Sequence, residues 1–281
     1  MALGFLKKMF FADNISKLAD VIFVNPQGLE SFSIILGAIA FGIQIYCDFS
    51  GYSDIAIGAA LILGFKIPIN FNKPYFATSP SEFWHRWHIS LSTWLRDYLY
   101  VPLGGNRTSR LRTYCNLLIV MFLGGLWHGA SWNFVIWGML HGAYLAVHKL
   151  ITDKLRISKS SFFRTKIFTI ISILITQYLV FLAWISFRVH DFNDMKYSMI
   201  KYIFLDFKYA ETLGFIKSNQ IECGLILTFF VLHFISYKLD NLSEKISTLT
   251  LWQWSIFLSI IITLILLFFG GNTDDFIYFK F

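Results

Sequence analysis

Charge is scarce in this sequence. Only 15 % of its 281 residues are Asp, Glu, Lys or Arg, where a water-soluble domain carries about a quarter. Hydrophobic residues make up 56 % of the chain, and 31 residues are Phe. A soluble core cannot absorb so many uninterrupted apolar runs, so a soluble globular fold is excluded. Cysteine is scarce too. Cys47, Cys115 and Cys223 stand far apart without paired spacing, which supports neither a disulfide framework nor a zinc motif. There is no internal repeat of the kind that builds transporters from paired broken helices, and no low-complexity tract. Met1 to Phe11 lacks the long apolar core and small-residue cleavage site of a signal peptide.

Several apolar runs approach or reach the roughly 20 residues that cross a bilayer core. The expected fold is all-α: a polytopic transmembrane helical bundle with re-entrant or interfacial helices, solvated by a lipid bilayer. Residues 1–28 set Lys7, Lys8, Lys17, Asp13 and Asp20 among apolar side chains, an amphipathic, interfacial pattern. The first span is expected over Ser31 to Phe49. Ser50 to Asp54 then leads into Ile55 to Phe65, whose 11 residues are too few to cross alone and read as a half-helix or re-entrant segment. Asp48 and Asp54 at membrane depth are costly unless paired or wet; an interfacial loop and a functional role stay equally open. Leu111 to Ala130 and Trp132 to His148 read as a helical hairpin. Further spans are expected over Ile167 to Phe187, Ile221 to Tyr237 and Leu251 to Phe269, before a tail that is acidic and then aromatic.

The net charge of +7 reads as basic loops holding the cytoplasmic face, and nucleic acid is not an expected partner. Lys66 to Arg112 carries seven basic residues against Glu82 and Asp97, and Lys149 to Lys166 carries six against Asp153. Both lie on one side of the hairpin and are expected in the cytoplasm, with the balanced stretch Arg188 to Gln220 outside.

One stretch differs from the rest. Six of the nine tryptophans lie between Trp84 and Trp137, and four of the five prolines between Pro68 and Pro102. Ser79-Pro80-Ser81-Glu82 offers a helix start, with Ser79 or Ser81 as cap and Pro80 in the first turn. The spacing predicts one helix from Ser81 to Tyr100 with Trp84, Trp87, His88, Leu91 and Leu95 on one face. His85 and His88 could share a face, but no third metal ligand is evident nearby, and no metal is expected. Trp84, Trp87 and Trp94 read more simply as an interfacial belt. His128 ends an apolar run between Trp127 and Gly129. An ionisable group there is a candidate for function, and imidazole suits proton transfer. The alternative is a histidine bonded to a neighbouring carbonyl. Gly124, Gly125 and Gly129 leave room for a backbone or a substrate. His141, His148, His190 and His233 read as packing or interfacial residues.

Phe83-Trp84 through Gly105, followed by Gly125-Leu126-Trp127-His128-Gly129, resembles the membrane-bound O-acyltransferase family, in its bacterial alginate O-acetyltransferase branch. Gln44 to Asp54 and the closing Phe276-Ile277-Tyr278-Phe279 resemble it too. The resemblance implies acyl transfer, of acetyl in the first place, onto hydroxyls of an extracytoplasmic polysaccharide such as alginate, or relay to a periplasmic O-acetylation partner protein. It implies the bacterial inner membrane, an acyl donor such as acetyl-CoA or another acyl thioester, no bound cofactor, and a tunnel through a thinned part of the membrane. His128 matches the family's catalytic histidine and His88 its second histidine. His85 stands where many relatives carry Arg and receives no catalytic role. Substrate-binding candidates are Asp48, Asp54, Trp127 and Asn133.

Relatives acylate peptidoglycan or teichoic acids, which are alternative acceptors. Members of this branch carry additional helices before the region matching Met1, so residues 1–281 are expected to form a single domain of this type without them. An inactive fragment and a transporter-like protein are the remaining alternatives. A di-iron desaturase would need clustered histidines that seven scattered ones do not supply.

Overall fold

The computed structural model describes residues 1–155, 165–239, 242–271 and 275–277. Every regular element among them is helical. In chain order they are α1 (Ala2–Phe5), a π-helical stretch (Leu6–Ala12), α2 (Asp13–Phe23), α3 (Ser31–Ile62), a 3-10 turn (Pro74–Phe76), α4 (Pro80–Arg86), α5 (Ile89–Leu95), a second π-helical stretch (Arg96–Tyr100) and α6 (Arg110–His128). Then follow α7 (Trp132–Leu155), α8 (Lys166–Arg188), α9 (Phe192–Ile203), α10 (Tyr209–Ser218), α11 (Gln220–Lys238), α12 (Leu242–Ser247) and α13 (Leu251–Phe268). Five of these are long and apolar enough to cross a membrane: α3, α7 over Trp132–Lys154, α8, α11 and α13. The protein is a multi-pass helical membrane protein, as composition required.

The chain forms two compact units, residues 1–69 with 200–281, and residues 70–199. In the first, the amphipathic N-terminal segment buries one face: Ile15, Leu18, Ala19 and Ile22 of α2 are buried, while Val21 is exposed. The expected break after Phe49 does not occur, and α3 runs unbroken for 32 residues. Two features carry it through Ser50 to Asp54. Gly51 lies so close to Gly4 that a Cβ there would sit 2.8 Å from the Gly4 carbonyl oxygen. Asp48 and Asp54 are neutralised from forty or more positions away: Lys8 Nζ lies 2.7 Å from Asp48 and Lys7 Nζ 2.7 Å from Asp54, and Lys8 also pairs with nearby Asp13 at 2.9 Å. The second Asp48 oxygen accepts a 2.8 Å bond from the backbone N–H of Ile277. The costly aspartates are therefore paired, and Ile55 to Ile62 is the end of a long span rather than a half-helix.

This pairing makes a stability prediction. Removing one member of a buried pair leaves an uncompensated charge and costs about 3 kcal/mol or more. Lys8→Met, which takes the cation from both Asp48 and Asp13, should therefore lower the melting temperature of the purified protein markedly, and more than Asp48→Leu, which leaves Lys8 paired with Asp13. A Lys8→Met variant as stable as the unchanged protein would contradict the reading.

In the second unit α6 and α7 form the expected hairpin. Its seam is built from glycines. A Cβ on Gly138 would lie 2.3 Å from the Met121 carbonyl oxygen, and one on Gly125 would lie 2.3 Å from that of Phe134. The obstacles are backbone atoms, so the helices would have to separate. Gly125 thus serves backbone approach rather than substrate entry. Gly138→Ala is expected to cost about 1–3 kcal/mol by overpacking. Gly224→Ala is the control, because a Cβ there meets nothing within 4 Å and Ala favours a helix. Equal thermal stability of the two variants in detergent would refute the tight seam.

The stretch expected as a basic loop, Lys149 to Lys166, is shortened by α7 continuing to Leu155 and α8 starting at Lys166; residues 156–164 lie outside the described ones. The stretch Arg188 to Gln220 contains α9 and α10 rather than loop alone. Of the acidic and aromatic tail, only 275–277 are described.

Candidate active site

The second unit holds both histidines singled out from the sequence. His88 sits at a break that the expected helix Ser81 to Tyr100 does not contain. The helix starts as predicted, with Ser79 Oγ accepting from Glu82 N–H at 3.1 Å and Pro80 in the first turn. The Glu82 carboxylate accepts from Thr78 N–H and hydroxyl at 2.7 and 2.6 Å and from Arg86 at 2.7 Å. Burial works against its charge, but these donors outweigh it and hold its carboxyl below the usual range. After Arg86 the chain turns, and His88 takes a left-handed conformation with φ 42°.

Groups from the preceding loop satisfy the broken ends. Asn72 N–H donates to the Arg86 carbonyl at 2.9 Å, and Ile89 N–H donates to the Asn70 carbonyl at 3.0 Å. The Asn70 side-chain oxygen accepts from Ser90 hydroxyl at 2.7 Å and Ser90 N–H at 3.2 Å, capping α5 from outside. Trp87 is locked among Phe71, Phe83 and Trp184 at centroid distances of 5.0, 5.5 and 5.1 Å. The face Trp84, Trp87, His88, Leu91 and Leu95 therefore does not exist as one stripe. Trp84 and Trp87 are buried, and Trp94 alone of the expected belt is half exposed.

The break also separates His85 from His88. His85 is exposed, with Nδ1 2.7 Å from the Ser81 carbonyl, whereas His88 is 7 % exposed. Burial, with a smaller contribution from nearby His128, pushes the His88 imidazole down to about 3. It is neutral at physiological pH and presents one N–H donor and one acceptor.

His128 is the last residue of α6, at the turn of the hairpin. Gly129 follows with φ 154°, a backbone conformation that disfavours residues bearing a Cβ, and a Cβ there would also strike the Phe134 ring at 2.8 Å. The His128 ring is walled by Trp127, Trp137 and Phe187 at centroid distances of 5.0, 5.1 and 5.2 Å. Trp127 links the two histidines, with its centroid 6.1 Å from His88, and is 52 % exposed. The hairpin turn and the helix break thus bring two imidazoles to one aromatic-walled place.

Asn133 is buried at the start of α7, and its Nδ2 lies 3.3 Å from Nδ1 of His190. Phe134 packs against both His128 and His190. His190 and Asn70 were not singled out from the sequence: the first follows a span as any interfacial residue could, and the second caps a helix 20 residues away. Of the substrate-binding candidates, Trp127 and Asn133 belong to this unit, while Asp48 and Asp54 belong to the other and are ion-paired there. His141 is a packing residue, 1 % exposed among Phe83, Trp84 and Trp137. No group of three or more His, Cys, Asp or Glu with metal-binding geometry occurs among the described residues.

The model of the membrane-bound O-acyltransferase family matches residues 1–190. The chain belongs to that family. It is 41 % identical over 251 residues to the probable alginate O-acetylase AlgI of Pseudomonas aeruginosa, covering 86 % of this chain and 46 % of that protein. It is 54 % identical over 150 residues to the protein of the same name in Azotobacter vinelandii, covering 53 % of this chain and 30 % of the relative. It is 44 % identical over 193 residues to a peptidoglycan O-acetyltransferase of Helicobacter pylori, covering 69 % and 36 %. The chain therefore spans less than half the length of these relatives.

Proposed function

We propose that this family member is an O-acyltransferase that moves an acyl group, acetyl in the main reading, onto hydroxyls of an extracytoplasmic polysaccharide such as alginate. The observation that carries the reading is the pairing of His128 with a buried, neutral His88 around Trp127. The relatives named as alginate O-acetylases point to the acceptor class. The donor in this reading is an acyl thioester such as acetyl-CoA, and the setting is a bacterial inner membrane.

His128 acts as general base. It takes the proton of the acceptor hydroxyl as that oxygen attacks the carbonyl carbon of the thioester. The carbon–sulfur bond then breaks, and the leaving thiolate recovers the proton from the His128 imidazolium. His88, neutral and fixed by the break, donates its N–H to the carbonyl oxygen as negative charge develops there. Trp127, half exposed beside both histidines, is the group best placed to meet an acceptor. A periplasmic partner protein taking the acyl group in place of the polysaccharide uses the same two histidines.

The relative that acts on peptidoglycan motivates a second acceptor. Ester-linked acetyl should be measured in exported polysaccharide and in peptidoglycan from cells with and without the gene. Loss of acetyl from the polysaccharide alone supports the main reading. Loss from peptidoglycan alone moves the assignment to that polymer, and no loss from either overturns both.

A further inference from the structure

A cavity of about 590 Å³ lies in the second unit, and Ile89, the residue after His88, is part of its lining. That is within the usual size of a small-molecule site, about 300–1,000 Å³. Neither His88 nor His128 lines it. Leu117, which does, stands 11 residues before His128 on α6, about 16 Å along the helix axis. Trp84 lines the cavity and packs against Trp137 and His141 at 5.7 and 5.1 Å.

Leu95, Leu117, Val120 and Leu145 supply an apolar lining, the slot, and Arg96 and Lys149 are among the polar lining residues. Their carboxylate neighbours, Asp97 at 2.7 Å and Asp153 at 3.5 Å, do not line the cavity. These pairs are partly or largely exposed, so each contributes little and yields readily to a stronger anion. Arg107, Arg110 and Arg112 lie at the same end of the hairpin, opposite the His128 turn, and add to the positive potential.

We infer that this cavity binds an anionic membrane phospholipid, with its phosphate at Arg96 and Lys149 and one acyl chain in the slot. The slot matches an alkyl chain, which has no polar atoms to satisfy there, and the two cations match a phosphodiester. A soluble donor thioester fits less well, because its reactive carbon must reach His128, which does not line the cavity. The inference is independent of the catalytic reading, since its test measures lipid rather than transfer.

The full chain is purified in detergent, incubated with equimolar phosphatidylglycerol and phosphatidylcholine, and examined by native mass spectrometry. One phosphatidylglycerol per chain is expected, preferred at least about ten-fold. Each cation near a membrane surface strengthens anionic-lipid binding about five-fold, so Arg96→Gln with Lys149→Gln should remove most of the preference. Leu117→Trp, which fills the slot and leaves the charges, should abolish retention of the lipid while circular dichroism stays unchanged. Equal retention of the two lipids, or an unchanged preference in both variants, overturns the inference. Stoichiometric displacement by coenzyme A also overturns it, and assigns the cavity to a soluble phosphorylated ligand.

Discussion

His128→Gln is expected to lower acyl transfer by at least about two orders of magnitude, within the range of about 10²- to 10⁴-fold attributed to a positioned general base. Glutamine fills similar space and forms hydrogen bonds, but takes no proton at neutral pH. His128 ends its helix at the hairpin turn and is only partly buried, so the amount of membrane-inserted protein should change little. His85→Gln is the control, because His85 is exposed and lies across the break from His88. It should keep most activity. His141 and His233, which as packing residues would also serve as controls, are buried against aromatic rings, so their loss would mix folding with chemistry. The assay is ester-linked acetyl normalised to inserted protein. Near-normal activity of His128→Gln would make His128 a structural residue.

His88→Asn is expected to lose about 10²- to 10³-fold, as expected when one oxyanion donor is removed. Asparagine tolerates the left-handed backbone that His88 adopts, so the break should survive. His88→Val should in addition lower protein level, because a β-branched residue resists that conformation. The same position predicts a pH effect on stability. The unfolded imidazole takes a proton near pH 6.5, while the folded one resists to about 3. The unfolded chain therefore binds more protons between these values, and stability falls as pH drops from about 6.5 toward 3. His88→Asn should make that part of the stability curve shallower without levelling it, because burial also pushes the His128 imidazole down, to about 4. An identical slope in the variant would show that His88 is not one of the titrating groups.

Much of this architecture was legible in the sequence because the bilayer restricts the options. Long apolar runs become helices, and the glycines near Gly125 mark a close seam. The Ser79-Pro80-Ser81-Glu82 start was readable because caps are local. The continuity of α3 was not legible, because the lysines that neutralise Asp48 and Asp54 come from the N-terminal segment. The break at His88 was hidden for the same reason. A helical pattern runs through Trp84 to Leu95, and what interrupts it is Asn70 and Asn72 capping from an earlier loop, with Trp87 held among Phe71, Phe83 and Trp184. His128 and His88 were each visible as candidates. Their meeting at Trp127 depends on a turn and a break that only the folded chain supplies.

The central claim is that His128 removes a proton from a weak nucleophile, and a stronger nucleophile tests it. Hydroxylamine attacks a thioester without a general base, whereas a sugar hydroxyl needs one. Membranes carrying the wild-type or the His128→Gln protein are given labelled acetyl thioester with either acceptor, and product above that formed by membranes lacking the protein is counted per inserted protein. The account predicts that the variant transfers at least about two orders of magnitude less acetyl to the polysaccharide but close to the wild-type amount to hydroxylamine. A variant equally inactive toward both acceptors, or active toward both, would contradict a general-base role for His128.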